Sequence, residues 1–190
     1  MNKSDGFTLP ELLITLTILG IISLLAMPAL SALMERERSR SAVHALYHHL
    51  KFARASSVEK NRLVTLCASE DRTSCNGSRD WSSQLILVFI DDNGNGKLDG
   101  DDQLLQALDF SQHSGTLHWR SFGNKSYLQW YPHGMTHYQS GNFTYCPANN
   151  DARLARRITL NAAGRVYFSA DNNNDGIVEG SDGKNIVCGK

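Results

Sequence analysis

An uncharged, largely apolar run from Leu12 to Met34 constrains this sequence more than any other stretch. As a single helix, this run of about 23 residues is long enough to cross a hydrocarbon core of roughly 30 Å. A lone carboxylate, Glu11, stands immediately before it. Because charged groups are costly inside a membrane, an ionisable residue in such a segment usually marks a function. The alternative is that Glu11 only interacts favourably with the dipole at the start of the helix.

The residues that precede the run do not fit an ordinary secretory signal peptide, because they are few and polar and no A-x-A site follows the run. The sequence Gly6-Phe7-Thr8-Leu9-Pro10-Glu11-Leu12-Leu13 instead resembles the type III signal of type IV prepilins and pseudopilins. In that signal the glycine, the phenylalanine, the glutamate and the apolar run occur together. The resemblance implies a membrane-anchored precursor.

The same resemblance implies how the precursor is processed and assembled. A prepilin peptidase is expected to cut between Gly6 and Phe7 and to methylate the new amino group of Phe7. In a filament, Glu11 is expected to pair with the Phe7 ammonium of a neighbouring subunit, since neither charge is stable alone in an apolar core. Pro28 stands where pilins often carry a helix-bending proline, and an interior proline removes one backbone hydrogen bond.

Length and charge limit the remaining possibilities. The 190 residues suggest one domain in addition to the anchor. The formal net charge is zero, so no global charge attracts the chain to nucleic acid. The resemblance to prepilins implies a leader at residues 1–6, a transmembrane or filament-core helix at 7–34, and a periplasmic pilin-like domain at 35–190. The inner membrane is the expected location before the protein enters a filament.

Four cysteines are expected to pair, because the domain would lie in the oxidising periplasm. Four cysteines allow three connectivities. Cys67 and Cys75 flank a short polar loop, so we favour one bridge between them and another between Cys146 and Cys188. Zinc binding is the alternative, but the spacings are not those of C-x₂-C zinc sites.

The periodicity of the chain predicts an α+β fold. Apolar residues recur at Val43, Leu46, Leu50 and Ala53, so one helix is predicted over residues 7–61, apolar in its first half and amphipathic in its second. This helix is expected to pack on an antiparallel β-sheet domain. Runs rich in β-branched and aromatic residues predict strands at residues 63–67, 84–90, 115–119, 127–131, 142–146, 157–161 and 166–170.

Three helical histidines are candidate metal ligands. His44 and His48 are spaced one helical turn apart, and His49 follows directly. No acidic partner is near in sequence, so all three are predicted to lie on the polar face of the helix.

Several segments of the predicted domain resemble the GspH/FimT group of minor pilins and pseudopilins. They are the Cys67-x₇-Cys75 loop, Trp81 and the segments 88–91, 143–146 and 161–166. The two predicted cystines favour a FimT- or FimU-like minor pilin, a structural subunit that primes or caps a type IV pilus. The alternative is minor pseudopilin H of type II secretion. The implied partners are other minor pilins, the major pilin or pseudopilins, prepilin peptidase and the inner-membrane assembly platform.

Two acidic loops fit the oxygen-ligand pattern of an EF-hand loop, except that Asp replaces the final Glu. No cofactor is required by the family, but this pattern makes calcium a candidate ligand. The alternative is that Asp, Asn and Gly simply form tight turns. The candidate ligands are Asp91, Asn93, Asn95, Asp99 and Asp102 in the first loop, and Asp171, Asn173, Asp175, Glu179 and Asp182 in the second.

A basic cluster near the C-terminus raises a second alternative function, a DNA receptor at the pilus tip. Some FimT-like proteins bind DNA through a Gly-Arg-x-Arg motif, and Gly164-Arg165-Val166-Tyr167 keeps only the first of the two arginines. The candidate DNA-binding residues are Arg153, Arg156, Arg157 and Arg165. The sequence has no G-x-S-x-G, H-E-x-x-H or phosphate-binding glycine loop, so we do not expect an enzyme.

Overall fold

The computed structural model describes residues 8–136 and 138–189, without the side chains of residues 25 and 28. It divides into two compact units, Met1–Glu37 and Arg38–Lys190. The predicted cleavage residues Gly6 and Phe7 lie outside the described residues, and so does the side chain of Pro28. The elements in chain order are α1 (Leu9–Glu59), β1 (Val64–Ser69), β2 (Leu85–Ile90), β3 (Gln103–Asp109), β4 (Gly115–Ser121), a 3₁₀ turn (Phe122–Asn124), β5 (Tyr127–Trp130), β6 (Gly141–Pro147), β7 (Arg156–Leu160) and β8 (Val166–Phe168).

The first unit is the apolar part of α1. Every leucine and isoleucine side chain described between Leu9 and Leu33 is more than half exposed. The hydroxyls of Thr15, Thr17 and Ser23 donate hydrogen bonds back to carbonyls in the preceding helical turn. The surface of α1 from Leu12 to Met34 is therefore almost entirely apolar.

No single helix among the described residues is long and apolar enough to qualify by itself as a membrane span. Two consecutive helical segments, Leu9–Leu24 and Ala29–Lys60, meet that criterion only together, and by length and composition alone.

In the second unit, the amphipathic part of α1 and two four-stranded sheets surround one core. The strand orders are β3-β2-β1-β5 and β4-β6-β7-β8, and all pairings are antiparallel. The predicted helical stripe is buried, with Leu46 and Leu50 fully inaccessible. It shares its core with both sheets, through residues such as Leu66 and Ile158. The predicted α+β fold is confirmed.

Seven of the eight strands coincide with predicted ones, and β3 was not predicted. The sequence Gln103-Leu104-Leu105-Gln106-Ala107-Leu108-Asp109 has no β-branched residue and is composed largely of good helix formers. Its pairing with β2 at the edge of the first sheet overrides that local preference.

The prediction for His49 was wrong. His49 is buried, with 3% of its surface exposed, and its Nε2 lies 2.9 Å from the Ile86 carbonyl oxygen. Burial lowers its pKa from 6.5 to about 4, although the hydrogen bond to Ile86 opposes that change. The helical turn directs this imidazole into the core, whereas the neighbouring His48 is exposed.

We expect the domain to lose stability on acidification because of His49. Above pH 6.5 the imidazole is neutral in both states; between pH 6.5 and 4 the unfolded chain binds a proton that the folded chain excludes. The free energy of unfolding should therefore fall by about 3 kcal/mol from this group as the pH falls through that interval. Urea unfolding of the full chain in detergent, followed by tryptophan fluorescence at pH 7 and pH 4, measures this difference.

His49→Leu should remove that part of the pH dependence, and His48→Gln should retain it. Equal slopes for wild type and His49→Leu would contradict the assignment.

Candidate ligand-binding groove

The outer face of the β4-β6-β7-β8 sheet is polar. In β4, Leu117 and Trp119 are buried, whereas His118 and Arg120 are exposed, as expected for the two faces of a half-buried strand. Because β4 pairs with β6, β6 with β7 and β7 with β8, this polar face extends across four strands.

Two cross-strand rows form this face. The first row runs from His118 through Thr144 to Arg157, and the second contains Arg120, Asn142, Thr159 and Tyr167. Residues in adjacent positions of such rows have Cβ atoms about 5 Å apart, so their side chains can contact one ligand together.

The C-terminal segment, residues 181–189, and this sheet line a groove of about 1090 Å³. The segment contributes Asp182, Lys184 and Asn185 to the lining, and the disulfide between Cys146 and Cys188 ties it to β6. The groove therefore depends on residues that are far apart in the sequence.

Positive charge is concentrated in the groove. Arg157 is half-buried, and its Nε donates a hydrogen bond of 3.1 Å to the Thr144 hydroxyl. Burial lowers the pKa of Arg157 below its ordinary value; the Asp182 carboxylate opposes this change, and the like charge of Arg120 adds to it. Among the described residues, the side chains of Arg120 and Lys184 have no hydrogen-bond or ion-pair partner.

Of the charged residues in this groove, only Arg157 and Asp182 were predicted as site residues, and each was assigned to a different site. His118, Arg120 and Lys184 were missed because they do not form a local cluster. The alternation of polar and apolar residues in Thr116-Leu117-His118-Trp119-Arg120 was the available signal.

The disulfide prediction is confirmed. Cys67 bonds to Cys75 and Cys146 bonds to Cys188, with Cα–Cα distances of 5.7 Å in both bridges. The zinc alternative is therefore wrong for these four residues.

A buried carboxylate organises the first acidic loop. Asp91 is 1% exposed and accepts hydrogen bonds from the Thr65 hydroxyl at 2.7 Å and the Gln129 side-chain amide at 2.9 Å. It also accepts the backbone N–H groups of Asn95 at 3.2 Å and Gly96 at 2.9 Å. Asp91 thus links this loop to strands β1 and β5.

The other candidate ligands of the first loop bond to one another. The Asp99 carboxylate accepts side-chain amide hydrogens from Asn93 at 3.1 Å and Asn95 at 2.8 Å. Asp102 accepts the backbone N–H groups of Asp92 and Asp99. These hydrogen bonds account for the conformation of the loop.

The second acidic loop repeats the local pattern of the first. Asp171 accepts the N–H groups of Asp175 at 3.3 Å and Gly176 at 2.8 Å. The buried Glu179 accepts the N–H group of Asn172 at 2.8 Å. The predicted ligand Asn173 also bonds within this loop, since its side-chain amide donates to Asp175 and its backbone N–H donates to Glu179.

Calcium binding stays a prediction for both loops. No group of three His, Cys, Asp or Glu side chains within residues 8–136 and 138–189 could hold a metal ion. The predicted twelfth ligand of the second loop, Asp182, lies in the groove near Arg157 instead.

The structure does not bring the four candidate DNA-binding arginines together. Arg156 and Arg157 are consecutive in β7, so their side chains point to opposite faces of the sheet. The Arg156 guanidinium donates to the backbone carbonyls of Arg153 and Ala155. Arg165 is near the other end of β7, roughly 13 Å away at 3.3 Å per residue, where it bonds to Asn161. DNA binding by this set stays a prediction without geometric support.

Comparison with known proteins identifies the family. The sequence model of the Type II transport protein GspH family matches residues 42–164, which is more than half of the chain. The chain belongs to the GspH family. The prokaryotic N-terminal methylation motif also matches, at residues 1–27. No curated protein sequence matches the chain significantly.

Solved structures place this GspH-family chain in a known fold. A crystal structure of the type IV minor pilin FimU from Pseudomonas aeruginosa matches with a TM-score of 0.55 and 20% identity, covering 72% of this chain and 91% of that one. A second crystal form of FimU matches with a TM-score of 0.51 and 19% identity, covering 69% and 92%. The fold is therefore that of a type IV minor pilin, as the sequence resemblance predicted.

Proposed function

We propose that this GspH-family protein is a minor pilin that helps to prime or cap a type IV pilus as a non-catalytic structural subunit. The observation that carries the proposal is the apolar surface of α1 before Met34. Such a large apolar surface needs to be covered by lipid or by other helices, because monomeric soluble proteins rarely expose one. A membrane before assembly and a helical filament core afterwards supply that cover.

Glu11 fixes the position of α1 relative to the helix of a neighbouring subunit in the filament. After cleavage between Gly6 and Phe7, the new Phe7 ammonium of one subunit pairs with Glu11 of its neighbour. The pairing neutralises two charges that would otherwise be buried alone in the apolar filament core. Before assembly the helix anchors the subunit in the inner membrane, with residues 35–190 in the periplasm. Its partners are other minor pilins, the major pilin, prepilin peptidase and the assembly platform.

The type II secretion pseudopilin H is the second candidate, favoured by the match to the GspH family itself. Both candidates use the same anchor and the same processing, so these features do not distinguish a type IV pilus subunit from a type II secretion pseudopilin. The FimU fold and the two internal disulfides support the pilus assignment.

Deletion of the gene tests the assignment. Loss of surface pili with normal exoprotein secretion is the expected result. Lost secretion with intact pili would overturn it in favour of the type II pseudopilin.

Expression of variants in the deletion strain tests whether piliation requires Glu11 itself and not only the presence of the protein. We expect Glu11→Ala to be cleaved and methylated, as read by N-terminal sequencing and mass spectrometry, but to leave the strain without pili. Glu37→Ala, an exposed carboxylate later in the same helix, is the matched control and should restore piliation. Full piliation with Glu11→Ala would contradict the register role.

A further inference from the structure

We propose that the groove on the outer face of the β4-β6-β7-β8 sheet binds an acidic polysaccharide, that is, a sugar chain that carries carboxylate groups. The proposal concerns a ligand of the globular unit. It does not depend on which filament the protein enters.

The floor of the groove matches the hydroxyl groups of a sugar chain. Asn142, Thr144 and Thr159 are partly exposed in adjacent strands, and Thr116 is exposed at the end of β4. Hydroxyl and amide side chains can both donate and accept hydrogen bonds, as sugar hydroxyls require. β4 is seven residues long, about 20 Å, which suits an extended chain more than a compact small molecule.

The cations of the groove match carboxylates. Arg120 and Lys184 have no ionic partner among residues 8–136 and 138–189, and Arg157 is held close enough to Arg120 for their like charges to repel. Asp182 is the acidic residue in the lining, so it leaves most of this charge uncompensated. A guanidinium binds a carboxylate through parallel hydrogen bonds, which are stronger than neutral ones. A ligand carboxylate would relieve the repulsion between the two arginines.

Tyr167 completes the site at the end of the second row. Its side chain lines the groove and the residue is 47% exposed, so an apolar ring face and a hydroxyl are both accessible. One such ring can pack against the C–H face of a sugar.

Single-stranded nucleic acid fits the groove less well. Its binding sites use successive aromatic side chains for base stacking and many cations along the phosphates. Here Tyr167 and Phe122 are the aromatic side chains in the lining, and hydrogen-bonding groups predominate.

Binding of an oligogalacturonate to the full chain in detergent, measured by calorimetry at low ionic strength, tests the proposal. We expect the Arg120→Gln/Lys184→Gln variant to bind about tenfold more weakly or worse, because two charge-assisted contacts are lost. The Lys60→Gln/Arg72→Gln variant removes the same charge from exposed positions outside the groove and should bind like wild type.

Neutral dextran, polyglutamate and a single-stranded oligonucleotide complete the set of probes. Weaker binding of all three than of the oligogalacturonate would support the assignment. The proposal would be overturned if the oligogalacturonate did not bind, or if both double variants lost the same affinity for it. Tighter binding of dextran, polyglutamate or the oligonucleotide would overturn it as well. These outcomes are independent of the piliation phenotype.

Discussion

Replacing both Cys146 and Cys188 with serine should lower the free energy of unfolding by about 4 kcal/mol. The two cysteines are 42 residues apart, and cross-linking a loop of that length removes much of the entropy of the unfolded chain. The same relation gives about 2.5 kcal/mol for Cys67 and Cys75, which are 8 residues apart. Guanidinium unfolding followed by tryptophan fluorescence reports the loss, because Trp81, Trp119 and Trp130 are all buried in the globular unit.

The Cys67→Ser/Cys75→Ser variant is the matched control. A smaller loss for the Cys146 and Cys188 pair than for this control would contradict the loop-length argument. The longer bridge also holds a small apolar cluster in which Val178 and Ile186 pack beside Cys188. Without it, we expect proteases to cleave the C-terminal segment faster, and the groove to lose one wall.

Asp91→Ala should destabilise the domain by about 4 kcal/mol. The carboxylate accepts four hydrogen bonds, and its removal leaves the buried side chains of Thr65 and Gln129 without this acceptor. Each buried polar group left unpaired costs roughly 1–3 kcal/mol, and bonds to charged groups are stronger than neutral ones. Urea unfolding of the full chain in detergent measures the change.

Asp101→Ala is the control for the same loop, because Asp101 is exposed. We expect it to change stability by less than about 0.5 kcal/mol. Similar losses in the two variants would show that the Asp91 hydrogen bonds do not determine the stability of this loop. Calcium should be chelated in both measurements, so that only the contribution of the protein is compared.

The sequence was sufficient for the local features. The apolar run at residues 12–34 and the motif before it predicted the long N-terminal helix and the family, because helix length and charge are properties of neighbouring residues. The Cys67–Cys75 bridge followed from a short polar loop, and the remaining two cysteines then had to pair. The strands with β-branched and aromatic residues were also visible in the sequence.

The tertiary structure decided what depends on pairing between distant segments. β3 is a strand because β2 pairs with it, although its own residues favour a helix. His49 lies three residues after Leu46 and four before Ala53, so helical periodicity itself places it on the buried stripe of α1. Only the tertiary structure supplies its hydrogen-bond partner, the Ile86 carbonyl of β2. The groove exists because β4, β6, β7 and the C-terminal segment bring Arg120, Arg157 and Lys184 together. Local periodicity assigns each side chain to a face of its strand, but only the register between strands determines its neighbours.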